Sequence, residues 1–324
     1  MGMVWRQHQG MPDLTTRHAA NAAVAPLAFE QDGVLSRRQL STLGISRWTV
    51  RAELRAGRWR AHHKQTIAVH TGQLSDRAKH WHAVFEAGSR SVLDGTGSLI
   101  PAGLRGFETA RIRVSIPRGT KVLGSPGVTV RQTRRLKASD VMPVGIPRVR
   151  TEIAAVRAAL WAESDRQAAL LLTMTVQQRL ARAEDIAIAL LTVRRHKRRN
   201  FLHRVMLDIV GGAQSIGELD FIESCRRRGL PDPDRQAVRR GTNGRYYLDN
   251  YWDRYHLVVE IDGIQHQFAT AIVSDALRQN DISLRHDTVL RIPLLGLRVA
   301  EDEFFAQIET ALVDAGWCRN ISAA

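Results

Sequence analysis

The sequence predicts an α+β protein built from more than one domain, and three observations carry that prediction. Segments with apolar residues every three or four positions alternate with short runs rich in aromatic and β-branched residues. At 324 residues the chain is long enough to bury two or three separate cores. Shifts in pattern then divide it into a polar lead-in at 1–21, a compact module at 22–71, a mixed and later helical middle at 72–210, and a carboxy-terminal α/β domain at 211–324.

Composition narrows the function classes. No apolar run is long enough to span a bilayer, and the opening MGMVWRQHQGMPDL lacks the apolar core of a secretory signal. Cys225 and Cys318 are the only cysteines, too few for a disulfide framework or a cysteine-based zinc site, so a reducing cytoplasm is expected. Forty-seven Lys and Arg against thirty-two Asp and Glu give a net charge of +15, a field that attracts polyanions. Double-stranded DNA is the expected partner and a membrane is not. The bland alternative is arginine-rich coding with no function attached.

Taken in order, the first helix begins near Ala22 and packs through Ala23, Leu27 and Phe29, and Asp32-Gly33 turns the chain. Ser36 caps a short helix holding Gln39 and Leu40, and Leu43-Gly44-Ile45 ends it. Ser46 caps a second helix reaching Ala56, with Trp48, Val50 or Arg51, and Leu54 at helical spacing. Trp59-Arg60 and Thr66–Val69 read as a hairpin. Two short helices across a glycine turn, followed by a hairpin, predict a winged helix-turn-helix. Arg47, Thr49 and Arg51 on the second helix and Lys64 on the hairpin are the candidate DNA contacts. The competing reading is a small module that meets protein, with those residues merely solvated.

The stretch GVLSRRQLSTLGISRWTVRAELRAGRW, within Gly33–His70, resembles the amino-terminal winged helix of AbiEi-type antitoxins from abortive-infection toxin–antitoxin systems. That resemblance implies operator binding and repression, with a cognate toxin protein as a further partner.

The middle region holds a helix at Ser75–Ala87, a turn-rich passage at Ser91–Leu104, and strands at Arg111–Ile116 and Val128–Gln132. Pro143 and Pro147 break the chain before helices at Glu152–Trp161, Ser164–Arg182 and Glu184–His196. The basic run at Arg194–Arg204 is either a face that tracks a phosphate backbone or a solvated helix end.

Ser215 and Glu218 have the spacing of a capping box, opening a helix to Arg228 that stops at Gly229. Strands follow at Gln236–Arg240, Tyr246–Asn250 and His256–Ile261, then a helix at Ser274–His286, a strand at Thr288–Pro293 and a helix at Glu301–Ala315. Side chains two apart on a strand project alike, so Glu260 and Asp262 share a face, and a neighbouring strand can bring Asp249 alongside. Three carboxylates together favour a hard divalent cation, magnesium or manganese, and metal-assisted phosphodiester hydrolysis. Against this stand an ordinary Asp-Gly turn, a solvated Asp249 and a Glu260 paired with a cation.

Glu218, Leu248-Asp249, VVEIDGIQH at Val258–His266 and D-x-x-R-Q-N-D at Asp275–Asp281 resemble the very-short-patch-repair branch of the PD-(D/E)XK nuclease superfamily. The resemblance implies a restriction-endonuclease-like fold, with Asp249 and Glu260 as metal ligands and Glu218 assisting. Asp262 stands where the superfamily usually has lysine; within the branch it would be a further ligand, with His266 as general acid/base and Arg278 as a phosphate contact. The expected function is thus a magnesium-dependent DNA endonuclease in mobile-element defence or repair. A non-enzymatic antitoxin-like repressor and an RNA-directed nuclease are the alternatives.

Overall fold

A computed structural model describes residues 14–88, 90–122, 124–211, 218–240, 246–262, 276 and 289–318, without the side chains of 14–17, 211, 218–220, 235–240, 246–249 and 262. The fold is α+β. It divides into two compact units, one of Met1–Pro101 and Thr109–Val149, the other of Ala102–Glu108 and Arg150–Ala324.

The first unit begins with α1 (Leu14–Glu30), β1 (Val34–Ser36), α2 (Arg37–Thr42), α3 (Arg47–Arg55), β2 (Arg60–His62) and β3 (Thr66–Ala68). The strands form an antiparallel sheet in the order β1-β3-β2. α1 starts inside the stretch expected to be a lead-in, because its alanine-rich sequence favours helix and Ala20, Val24 and Ala28, four apart, are buried. The inward face lies one residue from the one expected: Ala23 is exposed and Phe29 is 90% exposed.

Ser36 caps α2 reciprocally, its Oγ accepting from the Gln39 N–H at 3.1 Å while Gln39 Oε1 accepts from the Ser36 N–H at 2.8 Å. Ser46 caps α3 by accepting the Thr49 N–H at 3.1 Å. Leu35, Leu40, Val50, Trp59 and Ile67 close a core beneath these helices. Trp48, expected to point inward, is 63% exposed. At about 100° per residue it lies nearly opposite Val50, and the inward side of α3 falls to Val50, Glu53 and Leu54. Buried Glu53 accepts two hydrogen bonds from Arg58, at 2.6 and 2.8 Å.

The unit continues with α4 (Asp76–Ala87), β4 (Val92–Leu93), α5 (Thr96–Leu99), β5 (Ile112–Pro117) and β6 (Val128–Thr133). In the sheet β4-β5-β6 the first pair is antiparallel and the second parallel. The passage expected to be turn-rich also holds a short strand and a helical turn. A Cβ at Gly97 would lie 2.4 Å from the Arg113 carbonyl oxygen, so α5 approaches β5 closely only because that residue is glycine.

In the second unit α6 (Thr151–Leu160), α7 (Asp165–Gln177), α8 (Ala183–Leu191), α9 (Arg199–Gly211) and α10 (Glu218–Arg227) precede the strands. α7 stops before Arg182 because Arg179 takes a left-handed φ of 56° and the Leu180 N–H returns to the Thr175 carbonyl at 3.0 Å. α8 likewise ends short of His196. The basic run splits: Arg198 is buried, donating to Asp165 at 2.7 Å and to the Leu160 carbonyl at 3.3 Å, while Arg199 Nε donates to the Val193 carbonyl. Those two arginines tie the α8–α9 connection down, and Arg194, Arg195, Lys197 and Arg204 are the exposed remainder.

β7 (Arg235–Arg240), β8 (Tyr246–Trp252), β9 (Leu257–Asp262) and β10 (Val289–Pro293) form a sheet in the order β10-β9-β8-β7, parallel only between β9 and β10. α11 (Leu294–Val299), which the sequence did not suggest, and α12 (Glu301–Asp314) complete the unit. Phe221 of α10 lies 6.3 Å edge-on from Trp252 and 5.4 Å from Phe305, and the Trp252 indole donates to the Pro231 carbonyl. Each such buried ring contributes about 2–3 kcal/mol, so this cluster fixes α10 and α12 against the sheet. Ser215 and nearly all of the expected helix at Ser274–His286 lie outside the described residues.

Candidate functional site

The described residues among those singled out by the sequence fall in two places, one in each unit. On α3 of the first unit, Arg47, Trp48, Arg51 and Arg55 are all exposed, and the Arg47 guanidinium stacks 5.0 Å from the centre of the Trp48 ring. Thr49 is half-buried, its hydroxyl 3.0 Å from that of Ser46, so it serves the cap as well as the surface. Trp48 and Arg55 were not anticipated as surface groups, although the helical period that buries Val50 also dictates their exposure.

The tip of the β2–β3 hairpin is held with unusual completeness. Glu86 of α4, its side chain 2% exposed, accepts from the backbone N–H of Lys64, Gln65 and Thr66 at 3.2, 2.7 and 2.9 Å, from the Thr66 hydroxyl at 2.9 Å, and lies 2.9 Å from His63 Nδ1. Burial alone pushes this carboxyl up, but the bonds from His63, Gln65 and Thr66 outweigh it and hold the group below its ordinary range. From the other side, Arg37 Nε donates to the Lys64 carbonyl at 2.9 Å. Lys64 is therefore presented to solvent from a fixed backbone. Nearby His82 has its affinity for a proton lowered, chiefly by burial, and contacts the Thr66 hydroxyl at 3.0 Å. Glu86 went unnoticed in the sequence, yet a charged residue three beyond Ala83 on the buried side of a helix signals a compensated carboxylate.

In the second unit, Asp249 of β8 is the register partner of Glu260 of β9, and Asp262 follows two residues later. Antiparallel partners share one face of a pleat and every second residue repeats it, so positions 249, 260 and 262 belong to the same face. Glu260 is also in register with Arg291 of β10, whose Nε donates to Oε2 at 3.1 Å; the glutamate side chain is 22% exposed and the arginine 65%. The ion-pair alternative for Glu260 is thus realised, with a largely exposed arginine, and exposed pairs hold weakly. The side chains of Glu218, Asp249 and Asp262 lie outside the described residues, as do His266 and Arg278 altogether. Among the described residues, no group of three or more His, Cys, Asp or Glu is arranged to hold a metal ion. Buried Cys225 has its thiol pushed up to about 12, chiefly by burial, which removes it as a nucleophile.

Among the described residues no helix is long and apolar enough to cross a membrane. Neither a family model nor a curated protein matches the chain. A crystal structure of the RV2827C protein from Mycobacterium tuberculosis aligns at 14% identity over 60% of this chain and 76% of that one, with a TM-score of 0.36, a likeness too distant to carry an argument.

Proposed function

We propose that this protein binds duplex DNA through a winged helix-turn-helix in its first unit and hydrolyses phosphodiester bonds at the acidic strands of its second. The order α1-β1-α2-α3-β2-β3 supports the first part, with α3 as the reading helix and Lys64 on the wing. Exposed Arg47, Arg51 and Arg55 supply phosphate contacts, and Trp48 adds an apolar surface for sugar or base. The observation that carries the hydrolytic part is the pairing of Asp249 with Glu260 two residues before Asp262. Three carboxylates are oxygen donors of the kind magnesium or manganese prefers, and Asp249, Glu260 and Asp262 would hold the ion. When bound it would supply charge neutralisation at the phosphate and a lower pKa for water. The chain's own part is to orient the carboxylates and, through His266, to move a proton. Glu218 assists from α10, and Arg278 would meet a phosphate.

A second reading is a DNA-binding repressor without hydrolysis, of the antitoxin kind, with a toxin protein as partner. The Arg291–Glu260 ion pair favours it, because a cation already sits at the glutamate. Supercoiled plasmid incubated with the chain in magnesium, in EDTA, and with Asp249→Ala separates the two. Metal-dependent nicking or cutting that the variant loses supports hydrolysis; a gel shift with no cutting in any metal leaves the repressor.

A further inference from the structure

The first unit contains a cleft that neither proposed activity uses. It has a volume of about 680 Å³, within the range of small-molecule sites, and runs from the cap of α2 across α4 to the segment after β6. Its floor is apolar, formed by Trp81, Phe85, Val92 and Leu136. Arg38, Arg90 and Lys137, all exposed, stand around it, and no Asp or Glu is among the residues that line it. Arg90 is held in place by a hydrogen bond to the Thr120 hydroxyl at 3.1 Å.

The Trp81 ring is the largest apolar group in that floor. Trp81 is only 7% exposed, and its indole N–H has no hydrogen-bond partner among the described residues. A buried donor left in that condition costs about 1–3 kcal/mol, and most tryptophans in folded proteins avoid it. The nitrogen itself is sealed from solvent, so what the cleft is offered is the Trp81 ring and not its N–H.

An apolar floor selects against a fully hydrated ion such as free phosphate, while three cations along a lining that holds no Asp or Glu select against a neutral hydrocarbon. From the floor and the rim together we infer that this cleft binds a small organic anion with a flat apolar body, an aromatic carboxylate or sulfonate, its charge toward Arg38, Arg90 and Lys137 and its ring against Trp81 and Phe85. The inference is independent of what either unit does to DNA.

The test is calorimetric titration of the full chain with 2-naphthalenesulfonate and with naphthalene-2-sulfonamide, which has the same body without the charge. The sulfonate is expected to bind saturably at one site and the sulfonamide about tenfold more weakly, the value of one charge-assisted hydrogen bond. The double variant Arg38→Gln with Lys137→Gln, both at exposed positions, should weaken the sulfonate by about tenfold or more, and Trp81→Phe should weaken it several-fold. Arg195→Gln, an exposed cation of the other unit, should leave binding unchanged and so separates this cleft from general attraction to a basic chain. Equal binding of charged and neutral probes, no saturable binding, or a loss with Arg195→Gln as large as with the double variant would each overturn the inference.

Discussion

Glu86 and Glu260 are both carboxylates beside cations, and the contrast between them lies in how completely the fold occupies each. Glu86 is sealed under a hairpin and accepts from three backbone N–H groups, a hydroxyl and a histidine. Nothing else can approach it without dismantling the hairpin. Glu260 holds one ion pair to an arginine that is 65% exposed, with Asp249 as its register partner. The first carboxylate gives its whole bonding capacity to the fold; the second is bonded through Oε2 to a largely exposed arginine.

The largest consequence is for stability. Glu86→Ala leaves the N–H groups of Lys64, Gln65 and buried Thr66 without their acceptor and should cost about 3–5 kcal/mol, whereas Glu260→Ala should cost less than about 1 kcal/mol. Urea unfolding followed by circular dichroism measures both, and equal losses would erase the contrast.

The pH profile sharpens it. The folded pKa values of Glu86 and His82 both lie below their ordinary values of 4.5 and 6.5. The folded chain then binds fewer protons than the unfolded one, so stability falls on acidification. The His82 contribution is present above pH 6.5 and fades below it, and the Glu86 contribution is present above pH 4.5 and is lost lower down. In urea midpoints taken across pH 3 to 8, Glu86→Gln should lack the lowest limb and keep the histidine limb; an unchanged profile would contradict the role of Glu86.

Smaller effects test the exposed groups. Arg51→Ala should weaken DNA binding by about tenfold and reduce the slope of log affinity against log salt by about 1, measured by fluorescence anisotropy. No change in slope would remove α3 from the interface. Arg291→Gln should shift stability by less than about 1 kcal/mol while raising manganese affinity several-fold, since it removes a competing cation. A drop in metal affinity would mean that the arginine organises the site instead.

Much of this was readable in the sequence, and the exceptions have physical causes. Caps announce themselves through local spacing, which is why Ser36, Ser46 and the turn at Gly44 fall where expected. The pairing of Asp249 with Glu260 followed from two strands joined by a short connection, where register is nearly forced. The face of α1 and the outward turn of Trp48 were missed because large apolar residues were assigned inward, although tertiary packing chose the smaller Val24 and Val50. The three-residue β1 and the short α11 have too few positions to show a period. Glu86 and Arg291 act through partners 20 to 31 residues away in the chain, which local pattern does not record.

The claim that Glu260 and its register partner are open to a divalent ion is tested most directly by calorimetric titration of manganese into the chain, Asp249→Ala and Glu260→Gln. A saturable site in the first that disappears in both variants is the predicted result. A chain that binds no manganese saturably, or a site that survives Asp249→Ala intact, would contradict it.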